Sequence, residues 1–137
     1  MQKSEIKTNA DILLYKAIID LNTSKYLLEA FNENKIEIDL ETIFFHLQQC
    51  AEKSIKSLLT YHKVSFYKTH DIQELVQTLN DNNIITLENI EKLEELTSYA
   101  VEGRYAIIHD DIYDIDIYIE ILQKLTHFVE VQIGDKK

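Results

Sequence analysis

The chain contains no proline and only two glycines, Gly103 and Gly134, among 137 residues. Proteins built from many short strands need these residues at their tight turns, so the composition argues against a sandwich, a barrel or a collagen-like array. The sequence has no run of about 18 apolar residues, and its polar N-terminus lacks the apolar centre of a signal peptide. We therefore expect a single helical domain over residues 1–137 that lies in the cytoplasm and contacts no membrane.

Cysteine and arginine are equally scarce, because Cys50 and Arg104 are the single residues of their types. A lone cysteine forms no internal disulfide and no multi-cysteine zinc site, so we expect Cys50 to act as a small buried apolar side chain. His46 lies four residues before Cys50, a spacing that metals accept, but the sequence offers no third ligand. We predict no metal site and no cofactor.

Positive charge is also in short supply, since the chain has a formal net charge of −10 at pH 7. Proteins that bind nucleic acid through bulk electrostatic attraction need clustered lysine and arginine. Any contact with nucleic acid must therefore be local.

Apolar residues recur with the 3.6-residue period of an amphipathic helix in five segments. Asp39, Asp71 and Thr86 stand where helix N-caps are expected. On the first segment, Lys16, Asp20, Lys25 and Glu29 are expected to face water. We predict an all-α, up-and-down bundle of about five helices, at residues 10–31, 40–62, 71–80, 87–102 and 114–131.

The last segment carries two apolar lines, one through Tyr118 and Leu122 and the other through Ile117 and Ile121. A band of this width is wider than one neighbouring helix covers. The helix is therefore expected either to be central in the bundle or to face a second subunit also.

The unusual residues of the chain concentrate between positions 101 and 111, where Gly103, Arg104 and His109 precede two aspartates. An arginine offers a planar fork of donors to phosphate oxygens and stabilises the charge that develops there. A histidine titrates near neutrality and exchanges a proton with a ribose 2′-hydroxyl or a leaving oxygen. Together they suit phosphodiester cleavage without a metal.

The spacing of Arg104 and His109 restricts how the two side chains meet. On a regular helix, residues five apart point about 140° away from each other. Either Gly103 and the aspartates break the helix here, or a two-fold dimer brings one residue from each subunit together. The alternative is structural, in which Arg104 pairs with nearby carboxylates and His109 ends a turn.

Three stretches resemble the HEPN domain family in its order and spacing: FHLQQCAEKSIKSLL at 45–59, KTHDIQEL at 68–75 and LTSYAVEGRY at 96–105. The resemblance implies an all-α bundle that dimerises. It also implies a metal-independent ribonuclease, because catalytic members carry an arginine, four to six residues and then a histidine, a pattern that Arg104 and His109 match. RNA or a nucleotide would be bound there by residues that include Tyr105, Glu102 and Asp110.

The same resemblance implies a partner. Toxins of this family pair with a small nucleotidyltransferase antitoxin, which in some members modifies a tyrosine two residues after the histidine. Asp111 occupies that position here, and Tyr105 or Tyr113 would have to substitute.

A second interpretation of the resemblance belongs to a different class of protein. Ribonuclease members often have a small polar residue after the arginine, whereas Tyr105 follows Arg104 in this chain. Members with that Arg-Tyr step often lack the histidine and act as nucleotide-binding or accessory domains. The alternative is therefore a non-catalytic module that binds a nucleotide or a nucleotidyltransferase in the same cleft.

Overall fold

The computed structural model describes residues 1–100 and 114–134, and all of their regular structure is helical. This confirms the predicted all-α bundle of five helices. None of the helices in these two ranges is long and apolar enough to cross a membrane. The order is a single 3-10 turn at Lys3–Glu5, then α1 (Asn9–Asn32), α2 (Leu40–Tyr61), α3 (Ile72–Asp81), a 3-10 helix (Ile90–Tyr99) and α4 (Asp114–Gly134).

Side-chain caps define where the first three α-helices begin. Asp39 accepts a hydrogen bond from the backbone N–H of Thr42 at 2.9 Å, and Asp71 accepts one from Gln73 at 3.0 Å, as predicted for N-caps. Thr8 caps α1 in a reciprocal capping box with Asp11. Each of these contacts satisfies a backbone donor that the helix leaves unpaired at its start.

The fourth helix differs from its prediction in type, extent and cap. Residues 87–102 are predicted as an α-helix capped by Thr86, whereas Ile90–Tyr99 forms a 3-10 helix that follows Asn89 and has no side-chain cap. The buried residues explain the difference, because they recur every third position, which matches the three residues per turn of a 3-10 helix. They are Ile90, Leu93, Leu96 and Tyr99.

Helices α1 and α2 run antiparallel, and hydrogen bonds between them fix their register. Ser57 donates to the carbonyl of Ala10 at 2.7 Å, and Ser24 donates to the carbonyl of Ile43 at 3.5 Å. The N-terminal end of α1 therefore packs against the C-terminal end of α2. Both serines are fully buried and each finds a backbone partner, as buried hydroxyls must.

Helix α2 is the centre of the bundle, since it contacts α1, α3, α4 and the 3-10 helix. Phe44 on this helix is 2% exposed. Its ring stacks on Tyr99 at a centroid distance of 4.7 Å and meets Tyr118 edge-on at 6.0 Å. Phe44 thus joins α2 to the 3-10 helix and to α4.

Helix α4 packs against both α1 and α2, which accounts for most of its wide apolar band. Ile121, on the second apolar line, is 3% exposed, whereas Ile117 on the same line is 45% exposed. The N-terminal ammonium of Met1 forms an ion pair with Glu130 at 2.9 Å. Two neighbouring helices thus cover much of the band but leave Ile117 exposed, and a second subunit on this face stays a prediction.

Cys50 is fully buried on α2, as the sequence predicts. Burial raises the pKa of its thiol to about 12, and the contact with Ser54 at 3.9 Å offsets only part of that effect. Because the thiolate is the reactive form, we expect the native protein to resist a maleimide at pH 8 and to be labelled stoichiometrically in denaturant. Mass spectrometry measures both, and rapid labelling of the native protein would contradict this placement.

Candidate functional site

The residues that the sequence identifies as candidates for chemistry lie outside the described part of the chain. They are Arg104 and His109 for catalysis, and Tyr105, Glu102 and Asp110 for binding. The structure describes the residues that flank the 101–113 segment, Ala100 and Asp114, and the contacts around them.

An aromatic contact holds the chain on the N-terminal side of this segment. Tyr99 is 4% exposed and stacks on Phe44, and it directly precedes Ala100, the C-cap of the 3-10 helix. The Tyr99 hydroxyl is buried and has no hydrogen-bond partner among the described residues. Residue 100 is thereby fixed to the core of the bundle.

On the C-terminal side, ionic contacts link the start of α4 to the same 3-10 helix. Lys92 Nζ lies 2.7 Å from Glu95 Oε1 and 3.5 Å from Asp114 Oδ2. The Tyr118 hydroxyl donates to Glu95 Oε2 at 3.1 Å. The hydrogen bond to Glu95 raises the pKa of Lys92, which therefore stays cationic. Of the two residues that flank the segment, Ala100 thus ends the 3-10 helix and Asp114 lies against it.

A polar cluster around Glu52 joins α2 to the residues that precede α3. Glu52 Oε1 lies 2.9 Å from His70 Nδ1 and 3.1 Å from Gln48 Nε2, and Glu52 Oε2 lies 3.0 Å from Lys56 Nζ. Gln48 Nε2 also donates to the carbonyl of His70 at 3.2 Å. Glu52 itself is only 5% exposed.

The donors around Glu52 decide its charge. Burial alone would raise its pKa, but hydrogen bonds from Lys56, Gln48 and His70 outweigh burial and hold the pKa below its ordinary value. An ionised carboxylate only accepts hydrogen bonds, so Nδ1 of His70 carries the hydrogen and Nε2 lies on the far side of the ring. The histidine side chain is 61% exposed, which leaves that second nitrogen toward solvent.

A second carboxylate and histidine pair bridges α1 and α2. Asp20 Oδ1 lies 3.0 Å from His46 Nδ1, and Asp20 Oδ2 lies 2.6 Å from Lys53 Nζ. Asp20 is 8% exposed, so the prediction that it faces water is wrong. The reason is the lysine and histidine on α2, which supply the partners that a buried carboxylate requires.

Sequence patterns missed both clusters, although the one around Glu52 contained a signal. Gln48, Glu52 and Lys56 recur every four residues, the spacing at which side chains on one helix face meet. The partners His70 and Asp20 come from other elements, and nothing local in the sequence pairs them. His70 directly precedes Asp71, the N-cap of α3, and contacts Glu52 instead of a helix terminus.

The spacing of His46 and Cys50 does not lead to a metal site in the structure. His46 is held by Asp20, and the Cys50 sulfur is buried next to Ser54. Within residues 1–100 and 114–134, no three histidine, cysteine or acidic side chains come together in a way that would hold a metal ion.

Comparison with protein families gives a match over most of the chain. The family model described as HEPN domain matches residues 10–132, a range that includes the candidate residues between 101 and 113. The crystal structure of an archaeal HEPN homologue superposes with a TM-score of 0.60 over 93% of this chain and 99% of that chain. The two sequences are 21% identical, so this likeness concerns the fold.

Two curated relatives match a shorter stretch. Both are called queuine tRNA-ribosyltransferase-like protein, from Plasmodium falciparum and from its isolate 3D7, and both are 33% identical to this chain over 81 residues, or 56% of its length. The match covers 33% of the first relative and 20% of the second. The chain therefore spans a third or less of each.

Proposed function

The chain belongs to the HEPN domain family, and from this membership we propose that it is a metal-independent endoribonuclease, the toxin of a toxin–antitoxin pair. In this proposal the enzyme acts as a homodimer whose interface brings two Arg-x4-His motifs together. A small nucleotidyltransferase is its antitoxin. The observation that carries the proposal is the family match over residues 10–132, because that range contains both Arg104 and His109.

The proposed reaction follows from the chemistry of the two side chains. His109 takes the proton from a ribose 2′-hydroxyl, and the 2′-oxygen attacks the adjacent phosphorus. Arg104 donates to the non-bridging oxygens, where negative charge grows in the transition state. The 5′-oxygen leaves with a proton, and the RNA is left with a 2′,3′-cyclic phosphate end. A second His109 in the dimer serves as the donor of that proton.

A non-catalytic binding module is the competing proposal. The observation in its favour is Tyr105, which follows Arg104 directly and offers a ring for a base or ribose, with Asp110 and Asp111 as an acidic rim. In that case the same residues bind a nucleotide or a nucleotidyltransferase, and no RNA is cut.

Cleavage of structured RNA in the presence of a chelator distinguishes the two proposals. We expect the parent protein, free of antitoxin, to cut RNA, and Arg104→Ala or His109→Ala to lower the rate by about 10²–10⁴-fold. Arg104→Lys keeps the charge but loses the planar fork of donors, so it should remain strongly impaired. Gel electrophoresis follows the products, and sensitivity of their ends to acid identifies the cyclic phosphate.

The matched control is His127→Ala, because His127 is an exposed histidine on α4, remote in sequence from the motif. It should cut RNA at the parental rate. Absence of cleavage by the parent across varied RNAs would overturn the ribonuclease proposal. Nucleotide binding by the same inactive protein, lost in Arg104→Ala, would support the binding module instead.

A further inference from the structure

The longest stretch of the chain without an acidic residue runs from position 53 to position 70. It contains four lysines and two histidines in a protein of net charge −10. Its second half, residues 62–70, connects α2 to α3. Such a stretch is a local exception to the acidic composition.

Side chains alternate along this connection between the core and the solvent. Val64 and Phe66 are half-buried and pack against the core. Ser65 and Tyr67 point the other way, and Tyr67 is 86% exposed, the most exposed large apolar side chain of the described residues. His62, Lys63, Lys68 and His70 are exposed as well. We call the surface formed by His62, Lys63, Tyr67, Lys68 and His70 the basic strip.

Contacts from α2 fix the basic strip in place. The backbone N–H of Val64 donates to the carbonyl of Leu59 at 3.0 Å, and Lys56 Nζ lies 5.8 Å from the centre of the Phe66 ring. At the far end, Glu52 and Gln48 bind the side chain and the carbonyl of His70. The exposed ring and the charges are therefore presented by an anchored backbone, which lowers the entropy lost on binding.

The acidic side chains closest in sequence to the strip are already engaged. Glu52 is buried under three donors, Asp71 caps α3, and Glu74 accepts a hydrogen bond from Thr69 at 2.7 Å. Lys63 and Lys68 form no ion pair among the described residues. Their charges are thus available to an anionic ligand.

The C-terminal end of the strip lies close to the end of the 3-10 helix. The backbone N–H of Ile72 donates to Thr97 Oγ1 at 3.2 Å, which places the start of α3 against the end of the 3-10 helix. The chain continues from Ala100 into the segment that holds Arg104 and His109. A ligand that reaches His70, at this end of the strip, would thus lie near Thr97 of the 3-10 helix.

We propose that the basic strip binds single-stranded RNA, with one base stacked on Tyr67 and the backbone phosphates at Lys63 and Lys68. This inference rests on the proposed ribonuclease function and identifies where the substrate strand is held. An exposed aromatic ring between cations is the combination by which proteins bind single strands without reading sequence. It also reconciles RNA binding with the acidic composition, because the attraction is confined to one stretch.

Tryptophan fluorescence tests the stacking directly, because the chain contains no tryptophan. In Tyr67→Trp the indole is the single reporter, and we expect RNA to quench its emission. The probe is a 2′-O-methyl oligoribonucleotide, which has no 2′-hydroxyl to attack and so stays intact. Tyr26→Trp is the matched control, since Tyr26 is 72% exposed on α1, and its emission should not change.

Affinity for the same oligonucleotide tests the remaining residues. We expect Tyr67→Ala to bind about tenfold more weakly, the order of one lost base stack. The double variant Lys63→Ala with Lys68→Ala should lower the slope of log K against log salt by about 1.4, since each phosphate contact on a single strand accounts for about 0.7. Lys16→Ala with Lys25→Ala on α1, two exposed lysines, should match the parent.

The outcomes separate this inference from the proposed function. If oligonucleotide binding depends on the strip residues but the protein cuts no RNA, the strip proposal is supported and the ribonuclease proposal is overturned. If the parent protein cuts RNA but the strip variants bind the oligonucleotide as tightly as the control variants do, the strip proposal is overturned and the ribonuclease proposal stands. Strip variants that bind RNA normally but lose an acidic protein partner would also overturn the proposal.

Discussion

Replacing Phe44 with alanine lowers the free energy of unfolding by about 3–5 kcal/mol, the range typical of a large buried aromatic side chain. Phe44 is 2% exposed and touches Tyr99 and Tyr118 at once. Alanine leaves a cavity between three helices, and the aromatic contacts beyond simple burial are lost as well. Urea denaturation followed by circular dichroism measures the change by linear extrapolation.

Phe45→Ala is the matched control for this prediction. Phe45 is the next residue on α2 but is only half-buried, and its ring contacts His46. We expect this variant to lower the free energy of unfolding by about 1 kcal/mol, in line with ordinary substitutions. Equal losses for the two variants would show that the Phe44 ring does not occupy the centre described above.

Glu52→Gln is expected to destabilise the protein by about 2–3 kcal/mol although it preserves the size of the side chain. One carboxylate oxygen becomes an NH₂ donor and then faces the donors of Lys56, Gln48 or His70. A buried polar group that loses its partner costs about 1–3 kcal/mol, and hydrogen bonds to charged groups are at the upper end. Glu74→Gln, at an exposed carboxylate on α3, should change stability by less than about 0.5 kcal/mol.

The pH dependence gives this prediction a second readout. The pKa of Glu52 is lower in the folded protein than its ordinary value, so the folded state favours the ionised form. The resulting stabilisation is complete above the unfolded pKa of about 4.3 and is lost as the pH falls through the folded pKa. The difference in free energy of unfolding between the parent and Glu52→Gln should therefore become smaller below about pH 4. A constant difference down to pH 3 would contradict the assigned role.

The parts of the fold that follow from local patterns could be predicted from the sequence. Asp39 and Asp71 cap their helices as expected, because a cap depends on residues three positions apart. The buried line of α2 likewise follows from its own periodicity. The type of the fourth helix did not follow, because a spacing of three and a spacing of 3.6 are hard to distinguish over ten residues.

The polar clusters depend on partners distant in sequence, and for that reason they could not be predicted. Asp20 looks like a solvent-facing residue until His46 and Lys53 are placed opposite it on α2. The candidate catalytic pair, Arg104 and His109, came instead from composition and family resemblance, which need no tertiary contacts. The role of that pair remains a prediction.

The 3-10 form of Ile90–Tyr99 determines how far this piece of chain reaches. At a rise of about 2.0 Å per residue its ten residues extend about 20 Å, whereas an α-helix of the same residues would extend about 15 Å. If Ile90 stayed in place, conversion to an α-helix would bring Ala100 about 5 Å closer to it and rotate Tyr99 away from Phe44. The length of this helix therefore sets the distance between the anchors of the segment that carries Arg104 and His109.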